Sequence, residues 1–183
     1  MKTNSTRFVT FGLFLFFVVT ASGQASTPEV VLGKFLKLDF EGARLDSDGF
    51  KKVFPLTDWK DAPGYDSSII VRDYNAGRPQ VQGGHAKIVV TYDVVGMIAG
   101  NTMWEPYAGN PASESFKDQV KISYELILKN GTWKVHGPNE VPHISIGLAL
   151  KNEEELLADK SRDADEHKAY QQIVDALRKL ADK

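Results

Sequence analysis

The segment KIVVTYDVVG, from Lys87 to Gly96, is the feature that most constrains the fold of this chain. Its valines and tyrosine favour a β-strand, in which successive side chains point to opposite faces of the sheet. Apolar side chains point to both faces, namely Val90, Tyr92 and Val94 to one and Val89 and Val95 to the other. A strand that is apolar on both faces needs cover on both, from helices of the same chain or from a partner subunit.

Helical periodicity precedes this strand. Thr27 is a predicted N-cap, and apolar residues then recur at helical spacing as far as Leu38. A second, shorter helix follows the turn LDSD, with Ser47 or Asp48 as its predicted cap, and Pro55 ends it.

From Ser67 onward the apolar period changes to about two residues, which is typical of strands. SSIIVRDYN is a predicted strand, AGRPQ is the turn after it, and VQGGHAKIVVTYDVVGMIAG is one long strand bent at Gly83 and Gly84. TMWEPYAGNPASES is a predicted loop, and FKDQVKISYELIL is the next strand. The turn KNGT leads to the predicted last strand, WKVHGP, because Asn-Gly accepts the positive φ angles of a tight hairpin.

The C-terminal part returns to helical periodicity. Capping patterns begin at Asn152 and Asp163, and an apolar stripe runs from Tyr170 to Leu180. This last helix either packs back on the sheet or docks on another protein. The acidic stretch NEEELLADKSRDADE is expected to be a solvated helical face. Helices, then antiparallel strands, then helices make an α+β fold.

The first 25 residues have the pattern of a secretory signal peptide. Lys2 and Arg7 precede an uncharged apolar run from Phe8 to Thr20, which is shorter than the roughly 20 residues that a membrane-spanning helix needs. Small residues follow, so cleavage is expected after Gly23 or Ala25. The mature protein is therefore predicted to be exported, to the periplasm or the extracellular space.

Composition excludes several classes of function. The formal net charge is −2 and no block of one sign occurs, so there is no electrostatic footprint for nucleic acid. The chain has no cysteine, which excludes disulfides, thiol catalysis and cysteine-bound metals. None of the four histidines is paired at HxH or HxxxH spacing, so we expect neither a metal nor a cofactor.

Several segments, in order, resemble exported bacterial proteins of the nuclear-transport-factor-2-like superfamily. They are PEVVLGKFLKLDFEGARLDSDGFKKVFPLTDWKD, VRDYNAGRPQV, VVTYDVVG and YELILKNGTWKVHGPNEVPHIS. The resemblance implies a cone, in which a strongly curved antiparallel sheet wraps around N-terminal helices, and it points to relatives without an assigned reaction. We therefore expect a signal peptide at 1–25, a cone domain at 26–145 and a helical extension at 146–183.

Five residues are candidates for a ligand site. They are Arg72, Tyr92, Asp93, Trp104 and Tyr124. The aromatic side chains suit an apolar ligand, with Trp104 in a Gly- and Pro-rich loop that is able to act as a lid. The alternative is a cofactor-free isomerase or dehydratase, as in enzymes of the superfamily. Asp93 is then the general base, Tyr92 or Tyr124 an oxyanion donor, and Arg72 an anion anchor. An ordinary pairing of Asp93 with a cation across the sheet remains the other possibility.

No nucleophile motif accompanies these residues. The sequence lacks G-x-S-x-G, Ser-x-x-Lys and a glycine-rich loop between a strand and a helix. The favoured prediction is an exported domain without chemistry of its own. It binds a small apolar ligand in the cone, or pairs through the convex sheet with a second copy or another protein.

Overall fold

The computed structural model describes residues 26–100 and 102–182, so the predicted signal peptide lies outside the described residues. The helices are α1 Pro28–Phe40, α2 Ser47–Val53, α3 Ile146–Ala158 and α4 Ala164–Ala181. The strands are β1 Ser67–Ala76, β2 Gln80–Gln82, β3 His85–Ala99, β4 Met103–Pro106, β5 Lys121–Lys129, β6 Thr132–Gly137 and β7 His143–Ser145. Short 3-10 turns occur at Phe54–Leu56 and Glu114–Phe116.

Strand β3 is the centre of one sheet with the order β6-β5-β3-β1-β7. Its 15 residues are long enough to pair with two strands along each edge. β1 and β2 lie along one edge and β5 and β4 along the other, all antiparallel to β3. β7 pairs with β1 in parallel.

Three predictions about the strands were wrong. The segment AGRPQ does not reverse the chain, because β1 and β2 pair with the same edge of β3. The chain reverses at Gly83 and Gly84, where Gly83 has a φ angle of +60°. The predicted loop TMWEPYAGNPASES contains β4, and β7 follows the predicted last strand. The hairpin at Asn130 and Gly131 is confirmed, with φ angles of 51° and 76°.

Two irregularities in the pairing of β1 with β3 bend the sheet. Ile70 pairs with Gly96 but Val71 pairs with Val94, so that β3 has an extra residue at Val95. A second shift lies between Val71 and Tyr74 of β1. Extra residues of this kind bend and twist a strand. The sheet is a strongly curled half-barrel with helices at the C-terminal end of the chain, and the α+β class is confirmed.

Side-chain caps explain where α2, α3 and α4 begin, whereas Thr27 precedes α1 without a side-chain capping bond. Asp46, rather than Ser47 or Asp48, caps α2 by accepting hydrogen bonds from two backbone N–H groups. Ser145 caps α3, so Asn152 lies inside that helix and is not a cap. The capping box predicted at Asp163 is confirmed at the start of α4.

The concave face of the sheet packs against α1, and the convex face packs in part against α3 and α4. The inner core joins α1 residues Leu32 and Phe35 to sheet residues such as Val90. On the convex face, Ile98 packs with Ile173 and Leu177 of α4. The apolar stripe of α4 therefore packs back on the sheet, which was one of the two predicted arrangements. The helices of the same chain cover one end of the convex face of β3.

Gly96 of β3 pairs with Pro106 of β4, and the neighbouring residues of β4 leave no room for a side chain there. A Cβ atom at this position would overlap the ring of Trp104 and lie 2.7 Å from the carbonyl oxygen of Glu105. We predict that Gly96→Ala lowers the free energy of unfolding by about 1–3 kcal/mol, because ring and backbone have to shift. Urea denaturation measures this change.

The matched control is Gly33→Ala in α1, where a Cβ atom meets nothing within 4 Å. Alanine there is expected to stabilise the helix by about 0.5–1 kcal/mol, because it restricts the unfolded backbone. Equal effects of the two substitutions would contradict the close approach at Gly96.

Candidate functional site

Tyr92 and Tyr124, two of the predicted ligand-site residues, lie side by side inside the curled sheet. Their hydroxyl oxygens are 2.9 Å apart, and the residues are 4% and 1% exposed. Burial raises the pKa of both phenols, so each keeps its proton at neutral pH. The two tyrosines form a hydrogen-bonded part of the core that is closed to solvent.

A buried ion pair lies near these tyrosines. Arg44 donates from Nε to Oδ1 of Asp39 at 2.8 Å and from Nη2 to Oδ2 at 3.1 Å. The other guanidinium N–H groups donate to Tyr65, to Asn139 and to two backbone carbonyls of the segment 140–141. Burial works to lower the pKa of Arg44, but the carboxylate of Asp39 outweighs it and the pKa lies above its usual value. The guanidinium nitrogens and both carboxylate oxygens of the pair all have hydrogen-bond partners.

Aromatic and imidazole rings complete this interior cluster. The Cζ atom of Arg44 lies between 5.2 and 5.7 Å from the ring centroids of Phe35, Trp59 and Tyr65. His143 stacks on Tyr92 with centroids 4.1 Å apart, and its backbone N–H donates to Asp39. Burial lowers the pKa of His143 against the opposing effect of Asp39, which favours the neutral ring. Side chains of the protein itself therefore occupy the space in which a cone ligand was expected.

The ion pair of Asp39 and Arg44 is expected to be essential to stability. We predict that Arg44→Met lowers the free energy of unfolding by about 3–5 kcal/mol, because it leaves a buried carboxylate without its counter-charge. The control is Arg72→Met on the convex face, where the expected loss is at most about 1 kcal/mol. Urea denaturation of both variants makes the comparison, and losses of similar size would contradict the assignment.

Asp93 and Arg72, the predicted base and anion anchor, pair with each other on the convex face. The Nε atom of Arg72 lies 3.3 Å from Oδ2 of Asp93, and the side chain of Asp93 is 60% exposed. Arg72 also donates to the backbone carbonyl of Leu180 in α4. The enzyme hypothesis requires Asp93 inside the curled sheet beside Tyr92. The structure places the two on opposite faces.

Trp104 lies on β4, also on the convex side, next to Gly96. It borders a shallow groove between β4 and α4, together with Val95, Tyr107 and Leu180. The five predicted site residues therefore fall into three groups. The tyrosines are inside, the ion pair is outside on the sheet, and Trp104 lies against the last helix.

A different groove, of about 510 Å³, lies between α3 and the start of β1; we call it the α3 groove. Its apolar lining consists of Leu45, Ile98, Ile144, Ala149 and Leu156. Its acidic lining consists of Asp66, Glu153, Glu155 and Asp159. The other lining residues are polar as well, namely Tyr65, Ser67, Ser68 and Asn152. The volume is within the usual range of small-ligand sites, about 300–1,000 Å³.

Glu153 is the unusual side chain of the α3 groove. It is 4% exposed, and its Oε2 atom is buried with no hydrogen-bond partner. Within the described part of the chain, no hydrogen bond or ion pair involves this carboxyl. Desolvation raises its pKa from 4.5 to about 7. A buried polar group without a partner costs free energy, which a ligand that supplies a partner recovers.

The free energy of unfolding should depend on pH through the protonation of Glu153. Between pH 4.5 and 7 the folded state holds the proton of Glu153 while the unfolded state has released it. The contribution of Glu153 to the free energy of unfolding therefore falls as the pH rises through that window. We predict that the wild type loses stability relative to Glu153→Gln between pH 5 and pH 7.5, as measured by urea denaturation.

The comparison with Glu153→Gln is needed because His143 has the opposite effect. Its lowered pKa adds stability as the pH rises toward the ordinary histidine value of 6.5. The variant retains His143, so the difference between the two proteins isolates Glu153. A difference that does not change with pH would contradict the burial of this carboxyl.

The sequence did contain a signal for Glu153. The acidic stretch NEEELLADKSRDADE was expected to be solvated, and for its buried member this was wrong. Ala149, Glu153 and Leu156 follow at intervals of four and three residues, so they share one face of α3. That face carries the buried residues of the helix.

Among residues 26–100 and 102–182, no group of three His, Asp or Glu side chains is placed to hold a metal ion. No helix in this described part is long and apolar enough to cross a membrane. Comparisons with protein-family models, with curated proteins and with solved structures give no significant match.

Proposed function

We propose that this protein is an exported nuclear-transport-factor-2-like domain that binds a small ligand in the α3 groove and carries out no chemistry of its own. The observation that carries the proposal is the α3 groove itself. It joins an apolar lining, which includes Ile98 and Ala149, to the buried, unpartnered carboxyl of Glu153.

The order of elements supports the nuclear-transport-factor-2-like assignment. Two helices precede a curled sheet, and the hairpin at Asn130 and Gly131 lies in one of the segments that resemble the superfamily. The proposal of export rests on the pattern of residues 1–25. The site is proposed in the α3 groove and not inside the cone, because the cluster around Arg44 occupies the interior.

The arrangement of Asp93 favours binding over catalysis. A general base acts when it is placed within reach of its substrate and has a pKa matched to its task. Asp93 is open to solvent and paired with Arg72. The convex face nearby is polar, with Lys87, Thr91 and Glu125 exposed, and pairing with a second copy through this face stays a prediction.

Neutral n-octanol is a suitable first probe for the α3 groove. We predict that titration shifts the backbone amide NMR signals of Ile98, Ala149 and Leu156, because the octyl chain covers the apolar lining. Asn152→Trp, which places an indole in the groove, is expected to weaken binding at least about tenfold.

The matched control is Lys151→Trp, which adds the same indole at the neighbouring, exposed position of α3. Binding to this variant should equal that of the wild type. Two results would overturn the proposed function. The first is that neither octanol nor a charged eight-carbon probe shifts the amide signals of the groove. The second is that both tryptophan variants bind the probe equally well.

A further inference from the structure

The charged residues that line the α3 groove all have one sign. Its lining includes four carboxyl groups and no lysine, arginine or histidine. At the rim, Arg162 pairs with Asp159 at 3.3 Å and Lys151 with Glu155 at 3.8 Å. Of the four carboxyl groups, those of Asp66 and Glu153 make no ion pair within the described residues.

The packing of α3 against α4 does not provide Glu153 with a cation. Two arginines of α4 and the turn before it are engaged elsewhere. Arg178 of α4 pairs with Glu154 at 2.7 Å, and Arg162 contacts Glu166 and the ring of Tyr170. Within the described residues Glu153 has no positive partner, and a cation that enters the groove supplies one.

We propose that the ligand is an organic cation, with an ammonium group that pairs with the carboxyl of Glu153 and an apolar body that covers Ile98, Ile144 and Ala149. This inference rests on the proposed function and names its ligand class. An ammonium group fits because it donates up to three hydrogen bonds and carries the charge that the acidic lining attracts. A bare metal ion fits less well, because the described residues contain no group of three His, Asp or Glu side chains placed to hold one.

Proton release follows from this pairing. A cation beside a carboxyl favours the charged form of that carboxyl, and so lowers its pKa. At pH 6 Glu153 is largely protonated when the groove is empty, since burial holds its pKa near 7. Binding of an ammonium ion then forms the ion pair and releases up to one proton to the buffer, whereas binding of a neutral molecule releases none.

The test compares n-octylamine with n-octanol, which share the alkyl chain and differ in charge. Isothermal titration at pH 6, in two buffers of different ionisation enthalpy, measures both affinity and proton release. For the wild type we expect octylamine to bind at least about tenfold more tightly than octanol. Proton release should accompany the amine alone.

Glu153→Gln keeps the size of the side chain and removes its charge. This variant should lose the preference for octylamine over octanol and release no proton. Glu154→Gln is the matched control, because it removes the same charge from the next residue of α3, outside the groove. It should retain the preference.

The outcomes separate the inference from the function on which it rests. If both probes shift the groove amides with equal affinity, or if Glu153→Gln keeps the preference, the ligand is not a cation and the inference fails while the binding function stands. If neither probe shifts these amides, the function fails and the inference with it.

Discussion

The buried ion pair of Asp39 and Arg44 is the interaction on which the interior depends. Two charges removed from water are stable only when every hydrogen-bonding group has a partner. Arg44 meets this condition by donating to α1, to Tyr65 and to the segment 139–141, and Asp39 also accepts from the backbone of His143. The pair thereby joins the end of α1 to the chain that enters β7. The same bonds occupy the interior of the curled sheet, which is why the proposed ligand site is on the convex side.

The apolar residues on the two faces of β3 are covered by two different sets of neighbouring side chains. Val90 and Val94 pack in the inner core, while Val95 and Ile98 pack under the C-terminal helices. The extra residue at Val95 shifts the alternation of the strand, so that its far end turns its side chains toward α3 and α4. The α3 groove lies between α3 and the start of β1, so the helix that covers this end of the sheet also lines the proposed ligand site.

Features that depend on neighbouring residues were predictable from the sequence, and those that depend on distant partners were not. The hairpin at Asn130 and the capping box at Asp163 are local, and both were found. β4 and β7 are three or four residues long and exist because they pair with β3 and β1, which no local pattern reveals. The buried pair of Asp39 and Arg44 was missed for the same reason, because charged residues are almost always exposed unless they are paired.

Three carboxyl groups show how environment, and not residue type, decides which acid is available to a ligand. Asp93 is surrounded by water and paired with Arg72, so a ligand adds little to what it already has. Asp39 is buried but fully bonded to Arg44, and a ligand would have to break that pair. Glu153 is buried and has no partner, so it alone of the three gains a bond that the folded chain does not supply. Because this gain is available to a group that enters the α3 groove, Glu153 determines the class of ligand that we propose.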